Sequence, residues 1–305
     1  MASGALVEAG PELGGCPDPI VVDVGKSWVG MTLLSDPQFG AGNVDVALMG
    51  RELDEAAECG DSLLFNGDVF DAILHKDKRS TADVHHPSYR GRKDGLDQVV
   101  RDVAEFLMPY ARAGLIKMIG QGNHELAVEK YADTDLVRRL IDILEQGSGH
   151  PIAHGMTNGF VVHRLRAPAS VGDWTADHRT NYMHGSGGQA PVTEGITALK
   201  RHALGVQADL YWQGHRHYRW VHDGARQAYD PRTARMVIQQ YLLVMTGAYF
   251  ITYDGQSQES IRRDGRRSNY AADFNYHVQA RGGCRVVVKY DGYRFRQSAT
   301  LEPWG

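Results

Sequence analysis

The chain has 305 residues, of which 42% are apolar and 23% charged, with a net charge of −4; these are ordinary values for a globular protein with enough material for a sizeable core. No run approaches the ~18 apolar residues of a membrane span, and "MASGALVEAGPELGGCPDP" lacks the basic n-region and apolar stretch of a secretory signal. Three scattered cysteines (Cys16, Cys59, Cys284) argue against a disulfide framework or zinc ribbon and fit a reducing, cytoplasmic setting.

In chain order, a flexible Gly/Pro-rich arm over residues 1–27 comes first. Short apolar runs at Trp28–Leu34, Ser62–Phe65, Leu115–Ile119, Phe160–Leu165, Asn181–Met183 and Leu210–Trp212 have the length of buried strands. Helical periods lie between them. Leu96, Val99, Val100, Val103, Phe106, Leu107 and Tyr110 fall on one stripe, as do Leu136, Leu140, Ile141 and Leu144. Thr134 or Asp135 can cap the second helix, with Gly147 just past its end. After His217 the chain is strand-rich, ending in a hairpin whose Asp291-Gly292 pair suits a two-residue type I′ turn. Expected loops are Leu74–Asp94, Ala167–His178, Val221–Arg235 and Tyr253–Asn275; the first is too long for a plain strand–helix connection. Alternating strands and helices predict a layered α/β domain over residues 28–250, with residues 251–305 as a loop and hairpin completing or extending it.

Charge is uneven. From Lys200 onward sixteen Lys/Arg face nine Asp/Glu, about +7, which leaves about −11 for the residues before it. This suits either a basic face for an anionic partner or plain solvated surface, and "IRRDGRR" (Ile261–Arg267) is its densest stretch. A pI near 6.4 speaks against a coat of basic charge for duplex DNA.

The strands end in polar clusters flanked by glycine: Asp36-Pro37-Gln38, Gly67-Asp68-x-x-Asp71, Gly122-Asn123-His124-Glu125, His184-Gly185 and Gly214-His215-Arg216-His217. Ligands of open α/β sheets bind beyond the carboxyl ends of strands. Oxygen and imidazole donors from five segments suit Mn²⁺, Fe or Zn²⁺. The i, i+2 spacing of Asp36 with Gln38, and of His215 with His217, puts each pair on one side of an extended chain, and Pro37 biases Asp36 toward that geometry.

"NGDVFD", "GQGNHE" and "QGHRH", in this order with Asp36-x-Gln38 and His184, resemble the calcineurin-like metallophosphoesterases over about Met31 to His217. The first motif departs from the family's Asp-x-His. The resemblance implies a four-layer α/β fold, a metallophosphoesterase β-sandwich flanked by helices, with two divalent metal ions at the strand ends. Carried over, Asp36, Gln38, Asp68 and His217 hold one ion, and Asp68, Asn123, His184 and His215 the other. His124 acts on the phosphate without ligating, and Asp71 and Glu125 orient histidines or hold turns. His163 in "FVVHRL" is the rival for the position given to His184. His85, His86 and Arg216 are candidate substrate contacts, and Arg219 and Trp220 stand where a cation and a ring could meet a nucleotide, although Trp220 fits a core equally well. Two divalent ions carry +4 and two carboxylates return −2, so about +2 remains to ionise water and attract phosphate.

The expected activity is metal-dependent phosphoester hydrolysis by a metal-activated hydroxide. The expected substrate is a phosphorylated small molecule, nucleotide or nucleic acid, with Mn²⁺ favoured and Fe, Mg²⁺ or Zn²⁺ as alternatives. Asp71 is followed by Ala72-Ile73 and not by arginine, which separates the chain from the serine/threonine phosphatases that share "GNHE". The alternatives are a non-catalytic metallophosphoesterase-like protein-binding scaffold and a nuclease subunit needing a partner; a protein partner or homo-oligomer fits either. Gln38, with an amide oxygen in place of imidazole, softens the first metal position and tilts it toward Mn²⁺ or Mg²⁺.

Overall fold

Two mixed six-stranded sheets face each other in the computed structural model, which describes residues 18–71, 88–89, 92–170, 172–188, 192–230, 233–251, 260–261, 267–268 and 279–301. In chain order the elements are β1 (Ile20–Asp23), β2 (Trp28–Leu34), α1 (Val46–Cys59), β3 (Ser62–Phe65), α2 (Gly95–Arg112), β4 (Ile116–Ile119), α3 (Asn123–Ala132), α4 (Leu136–Ser148) and β5 (Ala153–His154). They continue through β6 (Asn158–Arg166), β7 (Thr175–Met183), α5 (Ile196–Gly205), β8 (Leu210–Gln213), β9 (Trp220–Asp230), β10 (Arg235–Met245), β11 (Ser260–Ile261), β12 (Arg267–Ser268), β13 (Cys284–Tyr290) and β14 (Phe295–Thr300).

One sheet has the order β14-β13-β2-β3-β4-β5, the other β1-β6-β7-β8-β10-β9. Strands β2 to β5 run parallel, as do β7, β8 and β10, so their carboxyl ends are grouped. Strand alternation divides the core. Met31, Leu33, Leu64 and Met118 of the first sheet meet Val161, Leu165, Leu210, Trp212 and Val244 of the second between the sheets. Leu34, Leu63, Phe65, Ile116 and Ile119 turn outward under α1, α2 and α4. Tyr211, Leu243 and Met245 turn outward under α5, where Leu199 and Ala203 cover them. The result is helix, sheet, sheet, helix: the four-layer sandwich expected from the resemblance.

Several local expectations change. Residues 20–23, expected within the N-terminal arm, form β1 and pair with β6. Asp135, not Thr134, caps α4, accepting from Arg138 N; Gly147 lies inside that helix, and Gly149 ends it in the left-handed conformation. The Asp291-Gly292 turn closes over four residues, since Tyr290 pairs with Phe295. Asp291 Oδ1 accepts from the amides of Tyr293 and Arg294 there, so its side chain sets the loop. The hairpin extends the first sheet, because β13 lies against β2. Most of the expected loop Val221–Arg235 is strand β9, paired along its length with β10. One face of β9 is half-buried and the other exposed, but Gly224, Arg226, Ala228 and Asp230 fill the half-buried face, so its sequence lacks an apolar alternation. The expected loop Ala167–His178 is shorter, since β7 starts at Thr175. Most of the stretches 74–94 and 253–275 lies outside the described residues.

Candidate metal centre

Each predicted cluster follows the carboxyl end of β2, β3, β4, β7 or β8, and the five meet at one end of the sandwich. Asp68 is the hub. Its Oδ1 accepts from His124 N at 2.9 Å, and its Oδ2 lies 3.2 Å from both Gln38 Nε2 and His184 Nε2. His184 Nε2 is also 3.2 Å from Asn123 Oδ1, while its Nδ1 is 2.8 Å from the Asn66 carbonyl. That carbonyl requires Nδ1 to carry a proton, so in the neutral ring the Nε2 lone pair faces Asp68 and is free to hold a metal. Donor atoms of Asp68, His184 and His215 all lie within 4.8 Å of one another. Asp36 meets the last cluster: its Oδ2 accepts from His215 N at 2.9 Å, and its Oδ1 is 3.4 Å from His217 Nε2.

The backbone differs from the expected extended geometry. Asp36, Gln38, Asp68, His215 and His217 have φ between 47° and 67°. They are five of the eight left-handed non-glycine residues among those described, a conformation that L-residues rarely take outside strained functional sites. Pro37 therefore does not hold Asp36 extended. Backbone bonds override its bias: Asp36 N donates to Gly67 O at 3.1 Å and Gln38 N to Asp68 O at 3.0 Å. Close approach demands glycine at position 122, where a Cβ would collide with Asp68 Oδ1.

Glu125, one turn into α3 and 1% exposed, ties two clusters together. Its Oε2 accepts from Gly122 N at 2.8 Å and Asp68 N at 3.0 Å, and its Oε1 from Phe70 N at 2.9 Å. Asp71 Oδ1 stands 3.3 Å from His124 Nδ1, which turns His124 Nε2 toward the hub, 3.9 Å from Asp68 Oδ2.

Electrostatics follow from this packing. Burial disfavours the charged form of Asp36, but His217 and His184 outweigh it and hold the carboxyl below its usual range. Asp68 behaves likewise under His184 and His124. The partners respond in kind: burial pulls both histidines down, but Asp68 lifts His184 to about 10, and Asp68 with Asp71 lifts His124 to about 9. Burial, then Asp68, pushes Glu125 up to about 7. His215 is lowered by burial and by His184.

The donor set suits divalent metal. Gln38 Oε1 is buried without a hydrogen-bond partner, and Asp36 Oδ1 has only His217 Nε2 at 3.4 Å, an arrangement that a cation between the donors would complete. Hard oxygen and imidazole donors surround the same point. Sheet order, helix layers and ligand placement coincide here. This is the four-layer α/β sandwich, two mixed six-stranded sheets between helices, with the candidate ligands gathered at one end.

The sandwich places other expected contacts elsewhere. His163 lies between the sheets, fully buried, beside His178 across the β6–β7 pair, and neither of its ring nitrogens has a partner; it is no rival to His184. Arg216 donates Nη1 to Gly188 O at 2.9 Å and Nη2 to Ser186 O at 3.1 Å. Both terminal nitrogens thus clamp the loop after His184 instead of reaching out for substrate. Arg219 is buried, donating Nε to Gly283 O at 2.7 Å, and Trp220 is core, its indole bonded to Glu194 O at 2.9 Å. His85 and His86 lie outside the described residues, as do residues 262–266 of the arginine-rich stretch. The sequence reading missed Glu52, Tyr249 and Arg216's clamp; a glutamate on the buried face of a helix gives no periodic signal.

No family model and no curated protein matches the chain. Among solved structures it is similar to the Yfce phosphoesterase from E. coli (14% identity, TM-score 0.34, 90% of this chain and 100% of that one). It is also similar to a predicted phosphoesterase from Streptococcus pneumoniae TIGR4 (11%, 0.32, 90% and 100%). A third is Vps29 from Entamoeba histolytica, complexed with zinc (9%, 0.32, 89% and 98%). At this distance no ligand, substrate or partner transfers from them, and the reading rests on the chain's own residues. No helix among the described residues is long and apolar enough to cross a membrane.

Proposed function

We propose that the chain hydrolyses a phosphoester with two divalent metal ions, Mn²⁺ first among them. The observation that carries this is the meeting of seven expected ligands at one sandwich end, with Gln38 Oε1 buried and unpartnered among them. Asp36, Gln38, Asp68 and His217 would hold one ion, and Asp68, Asn123, His184 and His215 the other. Bound ions would supply Lewis acidity to a phosphoryl group and ionise water near neutral pH.

The chain's own residues do the rest. Asp71 fixes His124 with Nε2 toward the hub, where a protonated imidazole can donate to the leaving oxygen or to a phosphoryl oxygen. Glu125 holds the Asp68 turn and the start of α3 in one piece. Arg216 holds the loop after His184. The cationic excess from Lys200 onward favours an anionic nucleotide or nucleic-acid substrate. The test is a pair of chromogenic substrates, one monoester and one diester, offered to Mn²⁺-loaded protein of measured metal content. Turnover of either supports the reading. A folded, metal-loaded chain that turns over neither overturns it in favour of a non-catalytic scaffold.

A further inference from the structure

Behind the Asp36 side of the centre lies a second buried carboxylate that no motif announces. Glu52 sits on α1, 1% exposed, two turns below the N-cap Asp45. Its Oε2 accepts from the Tyr249 hydroxyl and, at 3.0 Å, from Gly283 N, which also lies 3.2 Å from Oε1. Arg219 Nη2 stands 4.0 Å from Oε1. The fit around the carboxylate is close: a Cβ at Gly282 would collide with Oε1, and φ at that glycine is 96°.

Every partner of Glu52 leads to the same half of the centre. Tyr249 N donates to Asp36 O at 3.4 Å, and its carbonyl accepts from Asp45 N at 2.8 Å. Phe250, the next residue, sets its ring 5.7 Å from that of His217. Arg219 lies two residues beyond His217 and is anchored to Gly283 O, on the same turn that Glu52 holds. Asn123 and His184, by contrast, are tied to each other and to Asp68 and Asn66. Glu125 holds that other half in an analogous way.

The geometry points to Glu52 as a positioning residue for the Asp36–Gln38–His217 half of the centre, acting through Tyr249 and Arg219. This rests on the metal-centre reading proposed above. A buried carboxylate that accepts from two separate segments fixes their relative place, and outer partners of ligands typically govern metal affinity by about 10–100-fold.

The experiment titrates Mn²⁺ into the full chain by calorimetry and follows Mn²⁺ EPR, for the unsubstituted protein, Glu52→Gln and Tyr249→Phe. Glu52→Gln places an amide NH₂ against donors, and Tyr249→Phe removes one hydroxyl and leaves the packing. The expected result is two Mn²⁺ per unsubstituted chain, with one site weakened about tenfold or more in either variant and the other within twofold. Loss of the signal from coupled Mn²⁺ pairs should accompany it. A role in stability alone would lower the melting temperature and leave both affinities unchanged, and that result overturns the proposal. If Glu52→Gln does not fold, Tyr249→Phe decides by the same readout. An unsubstituted chain that takes up no Mn²⁺ removes the metal centre itself and this role with it; two ions bound equally well by all three proteins removes only the role of Glu52.

Discussion

Two pairs of histidines withdrawn from solvent, His124 only in part, behave in opposite ways in this molecule. His184 and His124, at the strand ends, are lifted to about 10 and about 9 because Asp68 and Asp71 stand against them. His163, between the sheets, is driven to about 3 by burial and by its neighbour His178, which is itself lowered. Burial alone makes an imidazole neutral; a carboxylate within 3–4 Å reverses the sign. The contrast separates a histidine that serves a charged site from one that fills a core.

The largest expected effect breaks the site side of the contrast. Asp68→Ala removes the group shared by both metal positions, so metal analysis should find the content falling from two ions per chain toward zero, with turnover lost. His163→Leu should leave metal content unchanged. Next, His124→Ala should lower turnover by about 10²–10⁴-fold while metal content holds. Loss of metal there would make His124 a ligand and not an acid.

The core side is tested by pH. His163 is neutral in the folded chain down to about pH 3 and protonates near 6.5 when unfolded, so below pH 6.5 the unfolded state binds the extra proton. Its contribution is complete above pH 6.5 and is lost progressively as pH falls toward 3, by about 5 kcal/mol at most. Urea midpoints measured from pH 7 to pH 4 should fall, and His163→Leu should flatten that slope, with His178 left to supply a remainder. An unchanged slope would show that His163 is not the titrating group. The smallest effect adds a histidine to the site. Gln38→His should tighten one metal position by about tenfold, read by calorimetry, and leave the other alone; equal affinities would count against Gln38 as a ligand.

What was legible in the sequence follows the same divide. The strands β2, β3, β4 and β8 were readable because short apolar runs stop at glycine and a polar cluster, and those clusters marked the site. Helix α1 was not readable: Gly50 and the buried Glu52 interrupt its apolar stripe of Leu48, Met49, Leu53 and Ala56. Strand β9 was taken for a loop because its sequence has no apolar alternation to detect, whereas the apolar run of β10 marked the chain after His217 as strand-rich. The backbone at Asp36 and Gln38 was misread because a local preference before Pro37 was taken as decisive, where bonds to the Gly67–Asp68 turn decide it.

The five left-handed residues carry a consequence for laboratory evolution. Gln38, His215 and His217 each hold a side chain where glycine would sit at lower energy, by roughly 1–2 kcal/mol, whereas Asp36 and Asp68 are kept there by the amides and imidazoles that their carboxylates pair with. A library of this chain selected for heat resistance alone, with metal and activity left unscored, should therefore drift toward glycine or asparagine at positions 38, 215 and 217. Survivors would melt later and bind metal more weakly. Three of the residues that make the centre are the ones such a screen would discard first.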